Sequence, residues 1–382
     1  MKIVFLCNEY PPLPHGGIGT FVQTMARAFA ARGHLVQVVG LGAAAARSSD
    51  GNITVTTLPA SRTRFVGNFF SRLRLRRWLG REVREGRCNL IEVPDYLGLL
   101  PFRVRGAASV VRLHISTTAI CQHAGWRVPK GISYYERKTL ASNPYWIGVS
   151  KYMLESTERI FGLKPRLARL VYNSVPSPPP QIARDESLPE QFVLYAGHVS
   201  RRKGAVLLAR AMKPLLESRP QLRLVYIGGE VIGAGEPRIQ EQILQEVGPA
   251  LAGQVLILGR QPRERVLSAM KQCSVFAFPS TLEALGLVVL EAMSVGAPVV
   301  CTSIPPGPEM VDHGSTGLLA DPNVPSDFAE KIASLLDDRE LARRVAANAA
   351  ELLRRRFTLE QCVTESEAFY KECLSHLSLR SE

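Results

Sequence analysis

Two glutamates, Glu283 and Glu291, stand eight apart in the run PSTLEALGLVVLEAMSVGAPVV, residues 279–300. From Leu287 the apolar spacing is helical until Gly296 and Pro298 stop it, so Glu283 is expected in the loop before a helix and Glu291 inside it. The amides of Gly286, Leu287 and Val288 would then be unpaired donors at that helix's N-terminus, a natural seat for a phosphate. A buried carboxylate about one turn in, at Glu291, would accept hydrogen bonds from a ribose diol. The plainer reading of the same spacing is a capped surface helix with two solvated glutamates.

Three further places bear on chemistry. GHVSRRKG, residues 197–204, carries Arg201, Arg202 and Lys203 after a strand-like run. Three cations there form either a solvated turn or, in a strand-to-helix loop, a ligand contact outside the carboxyl end of a sheet. No D-x-D occurs in the chain, so Arg201, Arg202 and Lys203, rather than a carboxylate-held metal, would neutralise a diphosphate leaving group. PHGGIG, residues 14–19, offers Gly16 and Gly17 for close backbone approach but departs from the G-x-G-x-x-G spacing. His114 closes a strand-like run at 110–113, where a structural imidazole and a functional one are both reasonable.

The elements that must position these groups repeat. A strand at 2–7, a glycine loop, a helix from Thr20 to Gly33 and a strand at 35–39 are followed, much later, by a strand at 192–196, the basic loop, a helix at 205–217 and a strand at 222–227. Two such openings imply two doubly wound α/β units. Between them VPSPPP, residues 175–180, reads as a semi-rigid connector. Helices are expected over 325–356, then a final amphipathic helix from Thr358 carrying Val363, Phe369 and Tyr370.

The length of 382 residues favours two domains, and 46% hydrophobic against 21% charged residues excludes wholesale disorder and a multi-span membrane protein. No apolar run approaches the length of a membrane span, and residues 1–6 lead directly into Cys7, Asn8 and Glu9, so a cytoplasmic protein is expected. Seven scattered cysteines without a C-x-x-C pair or a zinc-like His cluster read as reduced thiols, and no metal site is expected. The charge is lopsided: residues 1–186 hold 26 Lys and Arg against 11 Asp and Glu, net +15 of a total +13. One half therefore faces something anionic.

Much of that excess lies in the segment 62–87, which opens at Arg62, closes at Arg87 and holds nine arginines interleaved with apolar residues. Phe69, Phe70, Leu73 and Trp78 are expected to share a face, making a basic amphipathic segment of the kind that lies on anionic lipid. The alternative is an ordinary helix with a core face and solvated arginines. No helix-turn-helix, zinc-finger or RNP-like signature is visible, so nucleic acid is not expected as a partner.

In this order the motifs resemble retaining glycosyltransferases of family 4: the first glycine loop, RGHLVQVV, strand-end His114, GVS ending at Ser150, YNSV around Asn173, the KG of the basic loop, Glu283 and Glu291 with EAMSVGAPVV, and PGPEMVDHGSTGLLADP. The resemblance covers nearly the whole chain. It implies the GT-B fold, two facing Rossmann-like parallel-sheet domains with a cleft between them, at 1–175 and 185–357, with 358–382 packing back on the first. It implies a nucleoside diphosphate sugar, UDP- or GDP-linked, as donor substrate with no cofactor. Arg202, Lys203, Gly17 and the Gly286, Leu287 and Val288 amides would hold the diphosphate, Glu291 the ribose, and Glu283 and His114 the transferred sugar; the base would lie near Gly259, Arg260 and Gln261. In such enzymes the leaving phosphate helps deprotonate the acceptor on the same face, retaining configuration. The acceptor is expected to be a hydroxyl of a glycan, lipid-linked sugar or small molecule, and the protein to be cytoplasmic, peripheral on the inner face of a membrane. Three positions depart from the family pattern: His198 stands where Arg is usual, so that Arg201 or Arg202 substitutes; Glu283-Ala-Leu-Gly286 replaces E-G-F-G; and Pro306-Gly307 replaces paired glycines. A sugar-nucleotide epimerase and a non-catalytic sugar-nucleotide-binding protein of the same fold are the competing readings.

Overall fold

The computed structural model describes residues 1–378 except 14–15, 62, 64–65 and 232–237. Pro14 and His15 of the first glycine loop, and Arg62, Arg64 and Phe65 of the basic segment, thus lie outside the described residues. The chain divides into two compact units, Met1–Asn173 with Leu359–Glu382, and Ser174–Thr358.

In the first unit the strands are β1 (Lys2–Leu6), β2 (Leu35–Gly42), β3 (Ala46–Asp50), β4 (Ile53–Pro59), β5 (Leu90–Pro94), β6 (Ala108–Leu113), β7 (Tyr145–Gly148) and β8 (Leu167–Leu170). Among the described residues they form one sheet in the order β3-β4-β2-β1-β5-β6-β7-β8. Every pairing is parallel except β3 with β4. The central strands are buried on both faces, and their apolar runs are broken only by Glu92 of β5 and by Ser109 and Arg112 of β6, which are buried as well, and by Lys2 at the start of β1. The crossovers carry α1 (Gly17–Ala31), α2 (Gly67–Arg84), α3 (Thr117–His123), α4 (Lys130–Ser142) and α5 (Lys151–Phe161).

The second unit is built from β9 (Phe192–Ala196), β10 (Arg223–Ile227), β11 (Val255–Ile257), β12 (Val275–Phe278), β13 (Val299–Thr302) and β14 (Leu318–Ala320). All pair in parallel, in the order β11-β10-β9-β12-β13-β14. Its helices are α6 (Ala205–Ser218), α7 (Ile239–Val247), α8 (Arg263–Gln272), α9 (Leu287–Ser294), α10 (Gly307–Met310), α11 (Pro325–Asp337) and α12 (Arg339–Arg356). The last helix, α13 (Leu359–Ser378), belongs to the first unit, where Cys362, Val363, Phe369 and Tyr370 join Phe5, Met25 and Phe29 in the core. A buried ion pair anchors it: Arg112 Nε donates to Glu92 Oε1 at 2.9 Å, and Arg112 Nη2 donates to Ser366 Oγ of α13 at 2.9 Å.

Two expectations need correction. The first helix begins at Gly17, not Thr20, because Glu9 Oε1 accepts the Gly19 amide at 3.0 Å and satisfies a donor that the glycines would leave open. Along α2 the residues turned to the core are Ser71, Arg72, Leu75, Leu79 and Glu82. Phe69, Phe70, Leu73 and Trp78 do not share one face: Phe69 packs on Phe102, whereas Trp78 lines a groove with Thr54 and Thr56 of β4. No described helix is long and apolar enough to cross a membrane. All seven cysteines are buried thiols outside any disulfide.

Candidate functional site

In the second unit β9 and β12 are neighbours although β10 and β11 lie between them in sequence. The connections leave these two strands in opposite directions along the sheet, and at such a switch point the carboxyl-end loops part to leave room for a ligand. The loops that open there are 197–204 and 279–286, the two richest in candidate residues.

They are stitched together. Arg202 Nη1 donates to the Leu282 carbonyl at 2.9 Å, and the Arg202 carbonyl accepts from the Thr281 amide at 2.9 Å. Lys203 Nζ donates to Glu283 Oε1, an ion pair whose side chains are 17% and 8% exposed. Ser280 Oγ donates to the same carboxylate oxygen at 2.8 Å. Glycine is needed for this approach at Gly204: its φ is +76° and a Cβ would fall 2.0 Å from the Pro279 carbonyl oxygen.

The electrostatics favour an anion. Burial pulls the Lys203 ammonium below its ordinary pKa, opposed by Glu283 and assisted by Arg202. His198 is pulled down as well, by burial first and then by the charges of Lys203, Arg260 and Arg202. Three cations thus converge on a neutral imidazole, with Glu283 as the counter-charge. At the N-terminus of α9, Gly286 takes φ +96°, and a Cβ there would meet Met310 Cε at 2.8 Å. The Leu287 and Val288 amides then head the helix as first-turn donors, since the Val289 amide already bonds to the Gly286 carbonyl at 2.9 Å.

The remaining candidates divide. Glu291 is neither buried nor free in solvent: its Oε1 accepts from Arg263 Nη1 at 2.8 Å, with side chains 22% and 50% exposed. Both glutamates therefore depart from the solvated-surface reading, Glu283 by burial and Glu291 by pairing. Gly259, with φ +67°, follows β11, and its carbonyl accepts the Gly228 amide at 2.8 Å. Gln261 bonds to the Leu258 carbonyl through Nε2 at 2.5 Å and accepts Arg265 Nη1 at 2.8 Å. Arg260 faces His198 closely enough to disfavour its protonation. Arg201 does not join the cluster; it is exposed and its charge is felt by Glu246 of α7.

In the first unit, β6 delivers His114, 9% exposed, to the strand end. The imidazole packs edge-on against Phe21 of α1, centroids 5.0 Å apart, and the Arg112 guanidinium lies 4.8 Å from the centre of the same ring. Burial and then the Arg112 charge push the His114 pKa down to about 3, so the ring is neutral. Its amide donates to Asp95 Oδ1 at 2.8 Å. Sequence reasoning missed Asp95: it is 1% exposed, burial raises its pKa to about 7, and its Oδ2 has no partner among the described residues. Beside it the backbone is strained, with Leu97 at φ 63° and Ile115 at φ 96°. Buried Glu136 holds both turns, accepting the amides of Leu97, Thr117 and Thr118 at 3.1, 2.7 and 3.0 Å. Gly16 caps α1 and Gly17 opens it, with the Glu9 carboxylate alongside. Like charge there opposes a phosphate.

Comparison with known proteins agrees with this architecture. The family Glycosyltransferase Family 4 matches residues 15–177, and Glycosyl transferases group 1 matches residues 181–352. A D-inositol 3-phosphate glycosyltransferase from Corynebacterium efficiens is 32% identical over 184 residues, 48% of this chain and 43% of that protein, so the chain matches less than half the length of this relative. Among solved structures, sucrose-phosphate synthase from Thermosynechococcus elongatus superposes with a TM-score of 0.79 at 20% identity, covering 98% of this chain and 99% of that one. Anabaena HepE, solved in complex with UDP and glucose, gives a TM-score of 0.74 at 18% identity, covering 97% of this chain and 100% of that one. With one family matched across each half and the fold matched along its length, the chain belongs to the group 1 glycosyltransferases of the family 4 type and has their GT-B fold.

Proposed function

We propose that the protein transfers a sugar, with retention of configuration and without a metal, from a UDP- or GDP-sugar to a hydroxyl of a glycan, a lipid-linked sugar or a small molecule. The observation that carries this is the cluster of Lys203, Arg202 and Glu283 at the carboxyl ends of β9 and β12, beside the first-turn amides of α9. Among the described residues Arg202 meets no carboxylate and Lys203 shares its charge with Glu283, so a diphosphate brings negative charge beyond what the cluster holds, and each charge-assisted bond contributes about 1.5–3 kcal/mol. Engaging Lys203 with phosphate loosens its hold on Glu283, whose carboxylate then accepts hydroxyl groups of the sugar. HepE, a protein of the same fold, binds UDP and glucose, which supports a uridine donor.

In the proposed reaction the bond from the anomeric carbon to the phosphate oxygen breaks, the acceptor oxygen bonds to that carbon, and its proton passes to the departing phosphate. The protein's share is positioning and charge stabilisation: Lys203, Arg202 and the Leu287 and Val288 amides take up charge on the leaving diphosphate. Glu291 is assigned to the ribose hydroxyls, and backbone at Gly259, Arg260 and Gln261 to the base. Neutral His114 is assigned to a sugar hydroxyl. Gly16 and Gly17 are assigned to the diphosphate with Glu9 as an opposing charge. Arg202, not Arg201, takes the place of the family arginine absent at His198.

The test is incubation of the protein with UDP-, GDP- and ADP-sugars and a panel of hydroxyl acceptors, with proton NMR of the product. A new glycoside of unchanged anomeric configuration supports the reading; an inverted glycoside refutes retention. Release of an isomerised sugar from its nucleotide without acceptor identifies an epimerase instead.

A further inference from the structure

We propose that the groove between α2 and β4, with a volume of about 1120 Å³, binds an oligosaccharide. That this oligosaccharide is the acceptor's glycan chain rests on the reading that the protein transfers a sugar. The groove exists because one face of the sheet is polar where a parallel sheet is ordinarily apolar. Register decides the faces. Ile53 and Val55 of β4 turn with Val36 and Val38 of β2 into the core, packed with Phe21, Val22 and Met25 of α1. Thr54 and Thr56 stand on the other face, beside Gln37 and Val39 of β2, with Arg47 of β3 opposite Thr56. Along α2, Trp78, Arg81, Glu82 and Glu85 recur at helical spacing and wall the groove over that face. β4 is therefore half-exposed along most of its length, whereas β5 is buried throughout.

The wall is fixed and the floor is open. Glu82 accepts Arg87 Nε at 2.7 Å, Arg87 Nη2 reaches its other oxygen at 2.8 Å, and Gln37 Nε2 donates to it at 3.2 Å. Among the described residues the hydroxyls of Thr54, Thr56 and Thr57, the Asn52 side-chain amide and the Trp78 indole N–H make no hydrogen bond. An indole presents an apolar face with one N–H at its edge, and threonine hydroxyls and asparagine amides both donate and accept. A pyranose ring has the matching surface, with C–H groups on a face that stacks and hydroxyls around the rim that donate and accept. From Asn52 to Leu58 the strand rise gives about 20 Å, the reach of several linked rings rather than of one sugar. Charge disfavours a polyanion, because Arg87 is held by Glu82 and Glu85, Arg81 lies 3.8 Å from Glu82, and Lys2 donates to the Gly86 carbonyl. A purely apolar partner would leave the threonine hydroxyls unpaired.

The groove follows β4 from Asn52, in the turn before it, to Leu58 near its carboxyl end. A chain lying in it leads toward the carboxyl edge of the sheet, beyond which Asp95 follows β5 and His114 follows β6. The groove thus retains an acceptor away from the reacting atoms, and among the acceptor classes it favours the glycan over a lipid-linked sugar or a small molecule.

Calorimetric titration of the full chain with maltohexaose, cellohexaose, mannohexaose and chitohexaose tests the proposal, with UDP titrated separately to report the second unit. The parent is expected to bind at least one of these hexasaccharides. Trp78→Ala removes the stacking face and is expected to weaken that binding about tenfold. Thr54→Val with Thr56→Val removes two hydroxyls and is expected to weaken it about tenfold as well. Valine suits a strand and both positions are half-exposed, so the double variant is expected to melt at or above the parent temperature, which keeps the test decisive should Trp78→Ala loosen α2. UDP affinity is expected to be the same in parent and variants. No hexasaccharide bound by a parent that binds UDP, or equal binding by the parent and both variants, overturns the groove and leaves the transferase reading standing. A hexasaccharide bound through Trp78 by a protein that binds no UDP overturns the transferase reading and leaves the groove. AMP that displaces the hexasaccharide and is itself lost in Trp78→Ala assigns the groove to a nucleotide and overturns the proposal.

Discussion

Lys203 and Glu283, eighty residues apart in sequence, form an ion pair across the two loops that open at the switch point of the second sheet. The pair places a cation and an anion where the ligand of a doubly wound sheet binds, and neither can be replaced without exposing the other's charge. Its partners, Ser280 on the carboxylate and Arg202 on the adjacent Leu282 carbonyl, fix both side chains before any ligand arrives.

Lys203→Ala is therefore expected to do two things. Donor turnover falls by about two to three orders of magnitude, the loss associated with one transition-state donor. Stability falls by about 3 kcal/mol, because Glu283 is left buried and unpaired. Lys203→Ala with Glu283→Ala recovers much of the stability and none of the turnover. Steady-state kinetics and denaturant melts separate the two, and a double variant no more stable than the single one contradicts a direct pair.

At Gly204 the expectation is steric. A Cβ would overlap the Pro279 carbonyl while φ stays at +76°, so Gly204→Ala is expected to cost upwards of about 2 kcal/mol and to splay the two loops. A melting temperature within experimental error of the parent would contradict this close approach.

Glu291 and Arg263 make a different pair, half in solvent, worth about 0–1 kcal/mol to the fold. Glu291→Ala is expected to leave the melting temperature nearly unchanged while raising the dissociation constant for a nucleoside diphosphate about tenfold or more. Arg263→Ala frees the carboxylate and is expected to leave nucleotide binding equal or tighter. Parallel calorimetry and melts decide; equal losses in both variants would mean that the ion pair, not the carboxylate, matters.

In the first unit, Asp95 and His114 pull stability in opposite directions with pH. The folded chain holds a proton on Asp95 up to about pH 7, whereas the unfolded chain releases it near 3.8, the ordinary value of an aspartate. Stability from this group is full at low pH and is lost as pH rises through that window. His114 titrates at about 3 when folded and near 6.5 when unfolded, so its contribution is lost as pH falls below 6.5. The two offset each other between about pH 4 and 6.5. Asp95→Asn is expected to make the melting temperature fall more steeply on acidification than in the parent, and His114→Gln less steeply. Identical pH profiles for parent and variants would contradict the burial of both groups.

The legible parts of this molecule are those whose cause is local. All-apolar strands such as VFAF of β12, the glycines that permit positive φ at 204 and 286, and the helix that runs from Leu287 to Ser294 follow from propensity and spacing. What stayed hidden depends on distant partners. Nothing near Glu291 announces Arg263, which arrives from α8, and nothing near Gly17 announces that Glu9 extends α1 by three residues. The edge strand β3, residues Ala46–Asp50, carries no apolar alternation and exists because it pairs antiparallel with β4. Asp95 stood in a passage whose buried carboxylate has no sequence signature, since burial of a charge is decided by the elements packed over it.

In the proposed reaction the Lys203 and Glu283 cluster seats a nucleoside diphosphate. Isothermal titration of the protein with UDP, GDP and ADP, and with their glucose conjugates, alongside Lys203→Ala and Arg202→Ala variants whose melts show a folded second unit, tests it most directly. Binding of one nucleotide class by the parent, weakened at least about tenfold in both variants, is the predicted result. Equal affinity in the parent and in folded Lys203→Ala, or no nucleotide bound by the parent at all, would contradict it.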